Sequence, residues 1–219
     1  MLFLASMIIS PGRGYIFVHI PKTGGTSLSL ALEERAKADD ILIGDTPKAQ
    51  RRRRRLAKLD PPGRLWKHSR LTDIEGMPEL PDPAFVFTLV RNPWDRMVSL
   101  YHWAREQHFN HPMIEAAKAQ PFTDFIEDPS MASAFRNDSA ESYVSDRNAQ
   151  DRCNAYVRLE YFRSDIVPVE QHLGFRIDLP HVNASTRPAV SELYTPRTRD
   201  LVASYFADDV ARFGYEFPT

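Results

Sequence analysis

The sequence predicts an α/β fold: a single domain, residues 1–219, with a central parallel sheet flanked by helices. Two observations carry that expectation. Two strongly apolar runs, 15–20 and 85–90, have the length and continuity of strands covered on both faces. Each passes directly into a helix-start signal, a glycine–hydroxyl turn after the first and Asn92-Pro93 after the second. A chain of 219 residues is also long enough to bury one core without staples.

The elements follow in order. Residues 1–9 are apolar but short, and they lack the basic leader of a secretory signal. They fall well below the roughly 20 apolar residues of a membrane span. They are expected as a disordered or edge segment, or as a short strand, in a soluble cytoplasmic protein. The run 15–20 then enters Pro21-Lys22-Thr23-Gly24-Gly25-Thr26-Ser27. The glycine pair permits a sharp turn and close backbone approach. Thr26 or Ser27 is placed to cap a helix through Leu28, Leu32 and Ala36. Helix-start amides, the Lys22 ammonium and the hydroxyls together predict an anion site, with phosphate as the expected occupant. The spacing is not the Gly-x-x-x-x-Gly-Lys-Ser/Thr of the common nucleotide-triphosphatase loop, and no such string occurs in the chain.

Residues 51–55 are an unbroken arginine run flanked by Lys48 and Lys58. It reads as a solvated helix face or loop, with a basic rim for an anionic acceptor as the functional alternative. Asp60-Pro61-Pro62-Gly63 forces a turn, 65–70 delivers His68, and 75–83, with three prolines, is a loop. After 85–90 the helix continues through Met97, Leu100, Tyr101 and Ala104. Arg91 therefore sits at a strand-to-helix corner, the edge where open α/β sheets bind ligands, with Ser99 about two turns on. A local ion pair with Asp95 is the plain alternative for Arg91. Two cationic corners favour a shared ligand with separated anionic groups. Residues 108–150 read as polar and loop-rich, with Phe122, Phe125 and Ile126 on one helical turn, and are expected as helical cover for the sheet and part of the acceptor side of the cleft. Residues 156–162 alternate like a strand, a helix from about 165 stops at Gly174, and 180–188 is a polar loop. The last helix starts at Thr195-Pro196, carries Val202, Phe206, Val210 and Phe213 on one face, and ends at Gly214.

Composition excludes several classes. A net charge of −1 and an isoelectric point near 6.7 give no general pull toward nucleic acid or anionic membranes. Cys153 is the sole cysteine and the seven histidines lack ligand spacing, so neither a disulfide framework nor a structural metal is expected.

Taken together, residues 21–27 resemble the 5′-phosphosulfate loop of sulfotransferases that use 3′-phosphoadenosine 5′-phosphosulfate (PAPS). Leu89-Val90-Arg91-Asn92-Pro93-Trp94-Asp95-Arg96-Met97-Val98-Ser99 resembles their 3′-phosphate motif. The nearest branch is the one with carbohydrate O-sulfotransferases and short bacterial members. The likeness extends to Lys67-His68, Arg158-Leu159-Glu160, the His181–Asn183 loop and Arg212-Phe213-Gly214-Tyr215. The resemblance implies a nucleotide-kinase-like sulfotransferase fold. It implies that Lys22, Thr23, Gly24, Gly25, Thr26 and Ser27 hold the 5′-phosphosulfate, and that Arg91 and Ser99 hold the 3′-phosphate. Ser185 and Arg187 would close over the nucleotide. Lys22 and His68 would be catalytic, the latter as base. PAPS would be the co-substrate, adenosine 3′,5′-bisphosphate the product, and a glycan hydroxyl the acceptor, with no metal. The alternatives are a nucleotide kinase-like phosphotransferase, or a non-catalytic nucleotide- or glycan-binding protein.

Overall fold

The computed structural model describes residues 4–179 and 190–218, and these divide into two compact units. The first (4–90 and 141–179) is built on a sheet of order β3-β1-β2-β4-β5. Its strands are β1 (Ser6–Ser10), β2 (Tyr15–Val18), β3 (Ile41–Gly44), β4 (Phe85–Val90) and β5 (Cys153–Arg158). β2, β4 and β5 run parallel, with Phe17 opposite Phe87 and Val90 opposite Arg158. β1 pairs antiparallel with both β2 and β3, so the sheet is mixed and β1 alone is reversed.

This places the N-terminal segment differently from an edge. β1 is buried along its whole length between two neighbours, because its ladder groups and both faces are covered. β5 begins three residues before the alternating run and ends at Arg158; residues 159–161 form a 3-10 turn instead of a strand. The parallel registers bring the exits of β2, β4 and β5 to one edge of the sheet.

The core of this unit stacks Tyr15, Phe17 and Phe87, with centroids 5.3–5.6 Å apart, under Leu28 and Leu32 of the helix Gly25–Glu34. On the same core lie Phe162, Ile166 and Val169 from the turns that follow β5. Polar pins fix the first helix on the sheet. The Ser29 hydroxyl donates to Ser6 O (2.9 Å) and accepts from Ser6 N (3.2 Å). Buried Glu33 accepts from the hydroxyls of Ser6 (2.5 Å) and Thr46 (2.7 Å), as a carboxylate out of water requires. The arginine run spans the end of the helix Pro47–Arg52 and a 3-10 segment, Arg53–Lys58. Arg52 and Arg55 donate to carbonyls of Lys37, Asp40 and Ala38, while Arg51, Arg53 and Arg54 are exposed.

The second unit (91–140 and 190–218) is helical: Pro93–Arg105, Pro112–Ala119, Phe122–Glu127, Pro129–Arg136, Pro196–Tyr205 and Ala207–Phe213. Residues 108–140 are helical, as expected of cover, with more helix than their loop-rich polarity suggests. The cause is local: His111, Asp128, Asn92 and Thr195 each cap a helix whose first residue is proline. The C-terminal stripe is two helices, broken at Phe206, and the break turns Asp209 inward while Val210 and Phe213 stay half-buried.

Asp209 accepts from Ala140 N at 3.0 Å, and burial raises its pKa to about 6 despite nearby Arg96. The folded state therefore holds a proton that the unfolded chain releases near pH 3.8. Stability falls as pH climbs from about 4 to 6 and is flat in this respect above. Asp209→Asn removes the penalty. Denaturant titrations should show the variant gaining on the wild type by on the order of 2–3 kcal/mol across that window. Parallel curves for the two proteins would exclude the effect.

Candidate active site

The loop after β2 runs through His19 and Lys22 into the helix Gly25–Glu34. Lys22 has φ +65°, in the left-handed region that non-glycine residues rarely occupy, so the turn holds its backbone against a local steric cost. Thr23 is buried and its hydroxyl donates to Ile20 O at 2.9 Å, closing the turn. Gly24, φ +89°, is the helix N-cap; Thr26 and Ser27 lie inside the first turn rather than capping it. That helix start has no side-chain cap and no acidic residue in its first turn. Its amide edge is therefore left for an anion.

Close packing explains the glycine pair further. A Cβ on Gly25 would lie 2.0 Å from His19 Cδ2 and 2.4 Å from Nε2, and one on Gly24 would lie 2.9 Å from Leu159 Cδ1. Only a bare α-carbon lets the helix start seat against the imidazole and the β5 exit.

His19 is the centre of a cationic cluster. The residue is 3% exposed, its Nδ1 has no hydrogen-bond partner among the described residues, and its ring stacks on Phe17. Burial, then the charges of His68, Lys67 and Lys22, hold its pKa well below the usual histidine value, so it is neutral at physiological pH. The His68 ring sits 4.6 Å away, centroid to centroid, and His68 Nδ1 is 2.9 Å from His19 O. A carbonyl can only accept, so Nδ1 carries the proton and the neutral ring has its lone pair on Nε2. The turn that presents His68 is tied by buried Ser69, whose hydroxyl donates to the carbonyls of Arg64 (2.8 Å) and Trp66 (2.9 Å). Lys67 is anchored by Asp45 at 2.7 Å, and Asp45 in turn accepts from Ala5 N.

At the β5 exit, Arg158 is paired in bidentate fashion with Asp165 (2.7 and 3.2 Å) and lies 4.4 Å from the Tyr161 ring. That pair holds the Asp165 carboxyl below the ordinary range.

In the second unit Arg91 is half-buried and bonds Asp95 through Nε (2.7 Å) and Nη2 (2.5 Å). The local ion pair expected as the plain alternative is thus present, and it fixes the guanidinium by one edge. Asn92 accepts from Trp94 N and donates to Glu216 O. Ser99 is buried on the helix Pro93–Arg105. Ser185, Arg187 and the 181–183 loop lie outside the described residues.

The structure thus gathers Lys22, Gly25 and His68 around His19, with Thr23 and Gly24 in the turn between them. By sequence alone His19 reads as an ordinary strand residue. A histidine inside an otherwise apolar run, two positions before Pro21-Lys22, is the available signal. Among the described residues no group of three or more His, Cys, Asp or Glu is arranged to hold a metal ion, and no helix is long and apolar enough to cross a membrane.

No curated protein matches the chain. Among solved structures it is similar to mouse sulfotransferase SULT7A1 complexed with PAP, with a TM-score of 0.50 and 12% identity. That match covers 92% of this chain and 86% of the other, and it speaks for the fold. The profile of the sulfotransferase family matches residues 5–216, nearly the whole length, and the chain belongs to that family.

Proposed function

We propose that this chain transfers a sulfuryl group from PAPS to a hydroxyl, and that the hydroxyl belongs to a carbohydrate. The observation that supports it most is the meeting of an uncapped helix start, Lys22 and His68 around one neutral imidazole. It provides an anion cradle and a base in the same few ångströms.

In this reading the first-turn amides and the residues 22–27 hold the 5′-phosphosulfate, while Arg91 and Ser99 serve the 3′-phosphate. Ser185 and Arg187 keep the role their sequence resemblance implies. The acceptor oxygen forms a bond to sulfur as the bond from sulfur to the nucleotide phosphate oxygen breaks. The hydroxyl proton passes to His68 Nε2, and Lys22 balances the charge that develops on the departing phosphate. Positioning and charge stabilisation do most of the work, as in phosphoryl transfer. Adenosine 3′,5′-bisphosphate is the product, and a cytoplasmic location goes with a sequence whose sole cysteine is Cys153.

Two measurements test the reading. Adenosine 3′,5′-bisphosphate at 100 times its Kd should stabilise the protein by about 2.7 kcal/mol, whereas ATP with magnesium should not. Labelled sulfate should pass from PAPS to mono- or oligosaccharides in an acceptor panel. Stabilisation by ATP with magnesium alone, or transfer to no hydroxyl in the panel, would overturn the proposal.

A further inference from the structure

We propose that Trp66 is the acceptor platform of this site, carrying the apolar face of a pyranoside whose hydroxyl is presented to His68. The inference rests on the sulfuryl-transfer reading above and names a residue and a surface for its acceptor side. A single exposed aromatic means little by itself. Its placement is what counts. Trp66 is 42% exposed, and its ring stands nearly perpendicular (84°) to that of His68 with centroids 5.0 Å apart. An acceptor oxygen bonded to His68 must lie about 3 Å from a ring nitrogen, and with the two centroids 5.0 Å apart the indole is within reach of the carbon skeleton of a ring-bearing acceptor.

The turn that carries the ring is held in place. Trp66 N donates to Ser69 Oγ at 2.8 Å, and Trp66 O accepts from Ser69 N at 3.0 Å. The Arg64 guanidinium lies 5.5 Å from the indole centroid, on the same short turn as Lys67 and His68. An exposed aromatic ring beside a guanidinium suits a sugar, which offers a patch of C–H bonds on a ring edged with hydroxyls. A phenol would call for an enclosed apolar slot, and Trp66 is open to solvent.

The test uses chitotetraose as probe, with adenosine 3′,5′-bisphosphate bound. Saturation-transfer NMR should show the sugar-ring C–H groups receiving magnetisation from the wild-type protein. The signal should fall about tenfold in Trp66→Ala and be largely kept in Trp66→Phe, while the thermal shift given by the nucleotide is unchanged in both. In transfer assays Trp66→Ala should raise the KM for chitotetraose about tenfold and leave that for PAPS within about twofold. Equal sugar signal in wild type and Trp66→Ala, or binding of 4-nitrophenol with none of the sugar, overturns the platform. A sugar signal abolished by Trp66→Ala, together with no sulfate transfer by wild type, would sink the sulfuryl-transfer reading and leave the platform standing. Transfer with KM unmoved by Trp66→Ala would do the reverse.

Discussion

Lys22→Ala is expected to lower kcat by about 10²–10³-fold, the range found when a charge-stabilising donor is removed from a transfer site. The backbone explains why this side chain should matter more in the transition state than in binding. Lys22 sits at φ +65°, a conformation a lysine adopts only when its surroundings impose it, here the Thr23–Ile20 closure and the glycine turn. That turn leads directly into the uncapped helix start, so the lysine and the first-turn amides belong to one short loop. Charge appearing on the leaving oxygen is then met by a cation already in place. Loss of nucleotide affinity should be smaller, because the amides remain. A second variant separates charge from backbone. Lys22→Gly relieves the left-handed strain and should be more stable than Lys22→Ala by roughly 0.5–1 kcal/mol, yet equally slow. Single-turnover kinetics with either variant within threefold of wild type would remove Lys22 from the chemistry.

The parts of this molecule that are legible in the sequence are those encoded by neighbours along the chain. The run into Lys22 and the glycine pair announces β2, its turn and its helix, because buried continuity and helix-start chemistry are local properties. The same holds for β4 and the helix opened by Asn92-Pro93. What stays hidden depends on partners distant in sequence. β1 is interior only because β3 returns to cover its outer edge, and nothing within residues 1–9 states that. The end of β5 is set by pairing of Val90 with Arg158, after which the chain must turn to let Leu159 cover Gly24, whatever the alternation of 156–162. His19 reads as core until His68 arrives from 49 residues downstream to bond its carbonyl. Asp209 looks like a polar position on the outer face until the break at Phe206 rotates it inward.

His68→Ala should reduce kcat by about 10²–10⁴-fold, the contribution of a well-placed general base. Alanine alone leaves the cause ambiguous, since it deletes both the ring that packs on Trp66 and His19 and the hydrogen bond that ties this turn to the sheet edge. Asparagine resolves it. Its amide N–H is placed like Nδ1–H and can keep the 2.9 Å bond to His19 O, but no atom of it accepts a proton at neutral pH. If His68 acts through the lone pair on Nε2, His68→Asn should retain the melting temperature of wild type and the thermal shift given by adenosine 3′,5′-bisphosphate, and still lose most of kcat. Exogenous imidazole should then recover part of the rate in His68→Ala, where a space is left, more than in His68→Asn. Were the histidine an anchor for the turn, asparagine would restore turnover along with stability, and the base would have to be sought elsewhere. The neighbouring imidazole cannot take over. His19 is buried beneath Gly25 and surrounded by the charges of Lys22, Lys67 and His68, so it resists protonation in the range where the reaction needs an acceptor.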